Sequence, residues 1–191
     1  MLKQNSDSVR DTMRYFKLIE KEYPVTPLLE EIASVENAWA LNEGRQSKIK
    51  VQREAVSIPI RGLRKSKIAG RKKWDVHESR FTTISKQFPR IRSCLESLAQ
   101  CLDGELSRAK VVRLEPGHRV YPHVDRGEYY RIRDRYHLVL KSEPGNYLKA
   151  GDERNWMKPG ELWWFDNKAT HEAENASNAS RIHFIFDLLP R

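Results

Sequence analysis

Leu114-Glu115-Pro116-Gly117-His118-Arg119-Val120-Tyr121-Pro122-His123-Val124-Asp125 reads as the end of one strand, a tight turn and a second strand. Pro116-Gly117 is a turn dipeptide, and the residues on either side alternate with the period of two that marks a half-buried strand. Successive side chains on a strand point to opposite faces, so His123 and Asp125, two apart, project to the same side. A neutral imidazole and a carboxylate placed together can grip one metal ion.

The same grammar of short alternating segments recurs outward from this stretch. Residues 55–60, 109–114, 120–125, 136–141, 147–149, 162–165 and 181–188 are strand candidates, separated by Glu-Pro-Gly, Ser-Glu-Pro-Gly, Lys-Pro-Gly and Asn-Ala-Ser-Asn-Ala-Ser. Seven or eight short strands spaced in this way argue for a β-sandwich or barrel. Helical spacing occurs in two places. Thr26-Pro27 is a cap followed by proline at the first helical position, and Leu28, Leu29, Ile32, Val35 and Trp39 then predict a helix to about residue 41. Ile91, Leu95, Leu98 and Leu102 form one stripe after Pro89, with Asp103-Gly104 as the stop. Both helices are expected to pack on an outer face of the sheet.

With 191 residues, 39% of them hydrophobic and 32% charged, the chain suits one folded domain with or without an N-terminal extension. Five Trp, seven Tyr and six Phe provide core material that disordered chains lack. No apolar run approaches a membrane span and residues 1–9 are polar, so the expectation is a cytoplasmic protein without a membrane partner. Cys94 and Cys101 fall in one helix-like stretch and form no CxxC pair, which argues for reduced core cysteines rather than disulfides or thiolate zinc. Composition carries no statement about oligomeric state.

The formal charge of +9 is concentrated. Residues 44–92 hold fifteen basic side chains against three acidic ones, a net +12, and the densest part, residues 61–73, reads as a mobile loop. A field of this sign admits an acidic partner such as nucleic acid; a solvated loop that keeps the protein soluble is the plainer reading.

Of the histidines His77, His118, His123, His137, His171 and His183, only His123 stands in an H-x-D sequence. That pattern is short and recurs by chance. Residues further along the chain give it weight. One further histidine would complete a two-histidine, one-carboxylate facial triad, which suits ferrous iron and leaves three positions open for a bidentate co-substrate and dioxygen. His171 lies 48 residues on, just after a strand and its turn, and Arg181 comes ten residues later on another strand. A guanidinium there can pair bidentately with the distal carboxylate of a dicarboxylic acid. Arg135 and His137 share a strand face and are candidates for that acid's other end.

Residues 114–125, Arg135-Tyr136-His137, Gly160 to Asp166, His171-Glu172 and residues 181–187 together resemble the aspartyl/asparaginyl β-hydroxylase family of iron(II)- and 2-oxoglutarate-dependent dioxygenases. The resemblance is good over residues 105–191 and loose over 53–102. It implies a mainly β, double-stranded β-helix (jelly-roll) domain, set at residues 46–191; residues 1–45, which the resemblance does not reach, are expected from the helical spacing after Pro27 to form a helical extension. It also implies His123, Asp125 and His171 as iron ligands, and Arg181, Arg135 and His137 as contacts of 2-oxoglutarate. Oxidative decarboxylation of 2-oxoglutarate by O2 would be coupled to hydroxylation of an unactivated C–H bond. The substrate class it suggests is an amino-acid side chain, free or in a peptide.

Other readings stay open at this point: a dioxygenase acting on a nucleotide or nucleic acid, a non-enzymatic jelly-roll binder, and a cupin-like metal enzyme without 2-oxoglutarate. Glu172 or Asp166 is expected to fix the tautomers of the metal histidines, with turn chemistry equally fitting for Asp166. His183 reads as a hydrogen-bonded core histidine and His77 and His118 as loop residues. Trp163 and Trp164 read as core side chains, and Tyr129 and Tyr130 as part of a lid or substrate contact.

Overall fold

The computed structural model describes residues 12–41, 50–64, 68–72 and 75–191. In chain order these form β1 (Phe16–Glu20), α1 (Thr26–Ser34), β2 (Ala55–Leu63), β3 (Ser79–Phe81), α2 (Pro89–Cys101), β4 (Gly104–Leu114) and β5 (Arg119–His123). The short helix α3 (Glu128–Arg131), β6 (Asp134–Lys141), β7 (Asn146–Ala150), β8 (Glu153–Asn155), β9 (Leu162–Phe165), β10 (His171–Asn175) and β11 (Arg181–Pro190) complete the chain. Seven strands pair in the order β1-β9-β6-β11-β4-β2-β3 and four in the order β5-β10-β7-β8. All pairings are antiparallel, and the two sheets pack as the expected double-stranded β-helix.

Strand β11 shows why the large sheet has two unlike faces. Ile182, Phe184, Phe186 and Leu188 alternate outward and join Ile58, Val111 and Leu138 under Leu28, Ile32, Ile91, Leu95 and Leu98 of the two helices. Each such side chain, removed from water, contributes about 1.5–3 kcal/mol. On the alternate positions of the same strand, Arg181, His183 and Asp187 turn inward and are just as buried, with Ile185 partly so. Inside the sandwich, Val139, Trp163 and Phe165 of the large sheet pack on Leu148, Ala150 and Ala173 of the small one.

Helix α1 stops at Ser34 rather than near residue 41, because Val35 adopts an extended conformation, and Val25 rather than Thr26 occupies the cap position. Glu31 of α1 instead accepts hydrogen bonds from the N–H groups of Arg90 and Ile91, satisfying donors that the start of α2 leaves open. Helix α2 ends as expected, with Asp103 at a φ of 47° leading into β4. Cys94 is buried and accepts a hydrogen bond from the Tyr23 hydroxyl, whereas Cys101 is exposed, contrary to its reading as a core residue.

The basic segment and the N-terminal stretch both depart from expectation. Residues 61–63 belong to β2 and not to a loop; Arg61 donates to the Ser107 and Ser79 carbonyls and, with Arg92, lies over the Phe81 ring. Lys65, Lys67 and Lys73 lie outside the described residues, as does the stretch 42–49. The sequence does not predict β1, yet this strand pairs with β9 at the sheet edge, and α1 packs into the same core as the sheet. Among the described residues, no helix is long and apolar enough to cross a membrane.

Candidate metal centre and the arginines around it

His123 closes β5 and His171 opens β10, and the two are opposed in register, so their rings meet with centroids 4.2 Å apart. Asp125 lies just past β5, its N–H held by the Asn167 carbonyl. One ligand atom from each of His123, Asp125 and His171 falls within 4.8 Å of the others, and no other group of this kind occurs among the described residues. The three residues singled out by spacing are therefore brought together.

The ring nitrogens are oriented by the main chain. His123 Nδ1 lies 2.7 Å from the Tyr121 carbonyl and His171 Nδ1 lies 3.0 Å from the Ala169 carbonyl. A carbonyl only accepts, so both Nδ1 atoms carry hydrogen and both Nε2 lone pairs are left for a metal. Glu172 and Asp166 do not serve as these acceptors. Glu172 pairs with Lys149 at the surface, and Asp166 accepts the Lys168 N–H in a turn. Local carbonyls two residues before each ring reach Nδ1 without help from a side chain. Burial pushes the His171 imidazole down to about 4, with Asp125 opposing and His123 reinforcing, so it is neutral at ordinary pH.

Asp125 is held on one side only. Its Oδ2 accepts from Arg135 Nη1 and from Asn167 Nδ2 at 3.1 Å, which leaves Oδ1 as the donor to a cation. Burial alone would raise its pKa, but Arg135, His171, Asn167 and His123 outweigh it and hold the carboxyl below the usual range. Arg135 differs from expectation. Its Nε and Nη2 fork onto Asp187, at 2.7 and 3.1 Å, so all three of its nitrogens face the protein's own carboxylates rather than a ligand. Asp187 in turn accepts from the Tyr129 hydroxyl at 3.0 Å, and Tyr129 is fully buried between the guanidinium groups of Arg108 and Arg133. Tyr129 is thus an internal support and not part of a lid.

Arg181 lies deeper, and its surroundings are the reverse. It is 4% exposed, pairs with no carboxylate among the described residues, and is pushed down to about 10 by burial alone. Its Nη2 lies 3.1 Å from His183 Nδ1, which itself lies 3.2 Å from His137 Nδ1. His137 packs edge-on against Phe165, which packs against His171, so a contiguous row links the metal end to Arg181. Trp163 fills the core, its indole N–H on Glu161. Asp187 and Asn167 escape sequence reasoning. The signal for Asp187 is present, since it continues the inward polar alternation of Arg181 and His183; that for Asn167 is absent, as it acts from a turn.

A jelly roll with two histidines and one carboxylate converging on its inner surface defines a class of mononuclear metal proteins. The chain belongs, within that class, to the aspartyl/asparaginyl beta-hydroxylase family, whose model matches residues 44–190. It is 28% identical over 106 residues to an L-proline cis-4-hydroxylase of Rhizobium meliloti (strain 1021), covering 56% of this chain and 37% of that one. It is 37% identical over 75 residues to an L-proline cis-3-hydroxylase of a Streptomyces species, covering 36% and 26%. The aligned region thus spans about a quarter to two fifths of those relatives' lengths. The fold also matches a prolyl-4-hydroxylase from Pseudomonas putida, with a TM-score of 0.54 at 16% identity over 96% of this chain and 97% of the other. A viral collagen prolyl hydroxylase from Paramecium Bursaria Chlorella virus-1 matches with a TM-score of 0.50 at 15% identity over 96% and 99%.

Proposed function

We propose that the protein is an iron(II)- and 2-oxoglutarate-dependent dioxygenase that hydroxylates an unactivated C–H bond of an amino-acid side chain. The observation that carries this reading is Arg181, a buried guanidinium without a carboxylate among the described residues, in the same interior as a cluster of metal-ligating atoms. An unpaired buried cation is costly, and a dicarboxylate reaching from the metal would neutralise it. A metal site that is only structural, or a cupin-like enzyme without an acid co-substrate, has no use for that charge.

The donor set fits ferrous iron. His123 and His171 would ligate through Nε2 and Asp125 through Oδ1, the atoms their hydrogen bonds leave open. Bound there, iron supplies dioxygen activation, and the overall balance is substrate C–H, 2-oxoglutarate and O2 converted to alcohol, succinate and CO2. The chain's own residues do the rest. Arg135 and Asn167 keep Asp125 ionised and aimed; Asp187 and Tyr129 hold Arg135; Arg181 holds the distal carboxylate. The names of the curated relatives support a free amino acid as substrate, with L-proline the first to test.

Succinate formation should be measured with iron(II) and 2-oxoglutarate against free amino acids, short peptides and nucleic acids. Stimulation by one class names the substrate, and the absence of any iron-dependent consumption of 2-oxoglutarate overturns the reading. The same panel covers the nucleic-acid partner suggested by the basic segment 44–92, where Arg64 and Arg80 are exposed. Binding through phosphates would weaken steeply with salt.

A further inference from the structure

We propose that His183 and Asn155 complete the distal-carboxylate pocket around Arg181, each as a neutral N–H donor, and that His183 holds that role because its tautomer is locked. The inference rests on the 2-oxoglutarate reading and adds residues to it.

The locking depends on which atoms can donate. Arg181 Nη2 carries only hydrogens, so His183 Nδ1, 3.1 Å away, must accept. His137 Nδ1, 3.2 Å from the same atom, is then favourable only if it also donates there. With Nδ1 accepting, a neutral His183 must carry its hydrogen on Nε2. Neutrality is enforced by burial, with Arg181 and His137 beside it, which together hold the imidazole well below its ordinary value. The Nε2–H so defined is buried and has no hydrogen-bond partner among the described residues, in a side chain 1% exposed.

A second orphan points into the same place. Asn155 is 2% exposed and its Nδ2 is likewise buried, with no hydrogen-bond partner among the described residues. Both residues line one tight gap together with Arg181, Leu148 and Met157, without room for a water molecule as it stands, so a carboxylate entering it must part these side chains. Buried donors are almost always satisfied, so two orphans beside an unpaired guanidinium describe a site for an anion's oxygens. The depth is right as well. Asn155 is opposite Leu148, and Leu148 is opposite Ala173, two residues along β10 from His171. That is one inward-facing step, roughly 6.6 Å, from the metal-ligand row. A chelating 2-oxo acid with two methylenes places its far carboxylate about one such step away.

The test uses the full chain loaded with manganese(II) under anaerobic conditions, with 2-oxoglutarate affinity read by calorimetry. His183→Leu removes the donor at similar bulk and should weaken 2-oxoglutarate ten- to a hundredfold, while manganese affinity stays within about threefold. His183→Gln places an amide N–H near the Nε2 position and should recover most of the loss. Asn155→Asp keeps the shape but sets a carboxylate against the incoming one, and should weaken binding at least as much, which keeps the proposal testable should His183→Leu fail to fold. As a control, 2-oxobutyrate, which lacks the distal carboxylate, should bind the parent and His183→Leu alike. Equal 2-oxoglutarate affinity in the parent, His183→Leu and Asn155→Asp would overturn the proposal and leave the dioxygenase reading standing. A metal-loaded parent that binds no 2-oxoglutarate would remove both.

Discussion

Arg135 and Arg181 are both inward-facing arginines of one barrel, and the protein treats them in opposite ways. Arg135 is forked onto Asp187 and reaches Asp125, and these two carboxylates, prevailing over burial, raise its guanidinium well above the ordinary value. Among the described residues Arg181 pairs with neutral histidine and no carboxylate, and burial lowers it to about 10. The first is a finished structural element whose charge the chain itself compensates. The second is left uncompensated by any carboxylate among the described residues, which is what the proposed role of holding a co-substrate carboxylate requires.

Variants at the two ends should therefore fail differently. The largest effect belongs to the cluster itself: His123→Ala or His171→Ala should abolish iron-dependent 2-oxoglutarate turnover while circular dichroism shows a folded protein, since each removes a proposed ligand and neither belongs to the hydrophobic clusters that hold the sheets together. Full activity in either would dissolve the metal assignment. Asp125→Ala should lose hydroxylation too. Next, Arg135→Met strands Asp125 and Asp187 as facing buried carboxylates and should cost about 3–5 kcal/mol in urea unfolding. The matching Arg181→Met should leave the metal-free protein as stable as the parent or more so, because it removes an unpaired cation. If the two cost the same, the contrast between them is wrong.

Smaller effects sharpen it. Arg181→Lys keeps charge but loses the planar fork, so 2-oxoglutarate should bind about ten- to a hundredfold more weakly, about 1.5–3 kcal/mol, with metal affinity unchanged. Acid should also find the metal-free protein. His137, His171 and His183 all have folded-state values below the unfolded histidine value near 6.5, two of them well below and His171 at about 4. The unfolded chain thus binds more protons in that window, so stability is full above it and falls as pH drops toward 4. Between about pH 7.5 and 5, chelator-treated protein should lose about 2 kcal/mol per such histidine, and a flat profile would contradict their burial as neutral groups. Last, Tyr129→Phe removes one hydrogen bond from Asp187 and should cost about 1 kcal/mol, with a small drop in metal affinity.

Legibility in the chain varies by residue. His123, Asp125, His171 and Arg181 are readable because strand alternation and turn residues place them by local rules, and the structure brings the first three together. The helix stop at Ser34 is not, because Val35 and Trp39 continue an apolar stripe that tertiary packing uses without helical geometry. The engagement of Arg135 by Asp187 joins residues 52 apart in sequence, across paired strands whose register no local pattern announces. β8 and β10 escape detection because Glu153, Arg154 and Asn155, or His171, Glu172 and Glu174, look like loop polarity when half of them face a polar interior.

The strand β1 lies ahead of the region that the family model covers, and it does more than lengthen the sheet. Phe16 and Leu18 line up with Phe165 and Trp163 of β9, while the N–H groups of Arg14 and Tyr15 bind the Glu153 carboxylate on the opposite sheet at 2.7 and 2.8 Å. The Tyr15 ring fits against Gly151, where a methyl group would sit 2.3 Å from it. The segment is thus a clasp over the open side of the sandwich and a cover for the free backbone of β9. A chain trimmed to begin at residue 44 would present that backbone as a bare edge, ready to pair with another copy. Self-association of such a fragment would reflect a missing clasp, not a natural oligomer.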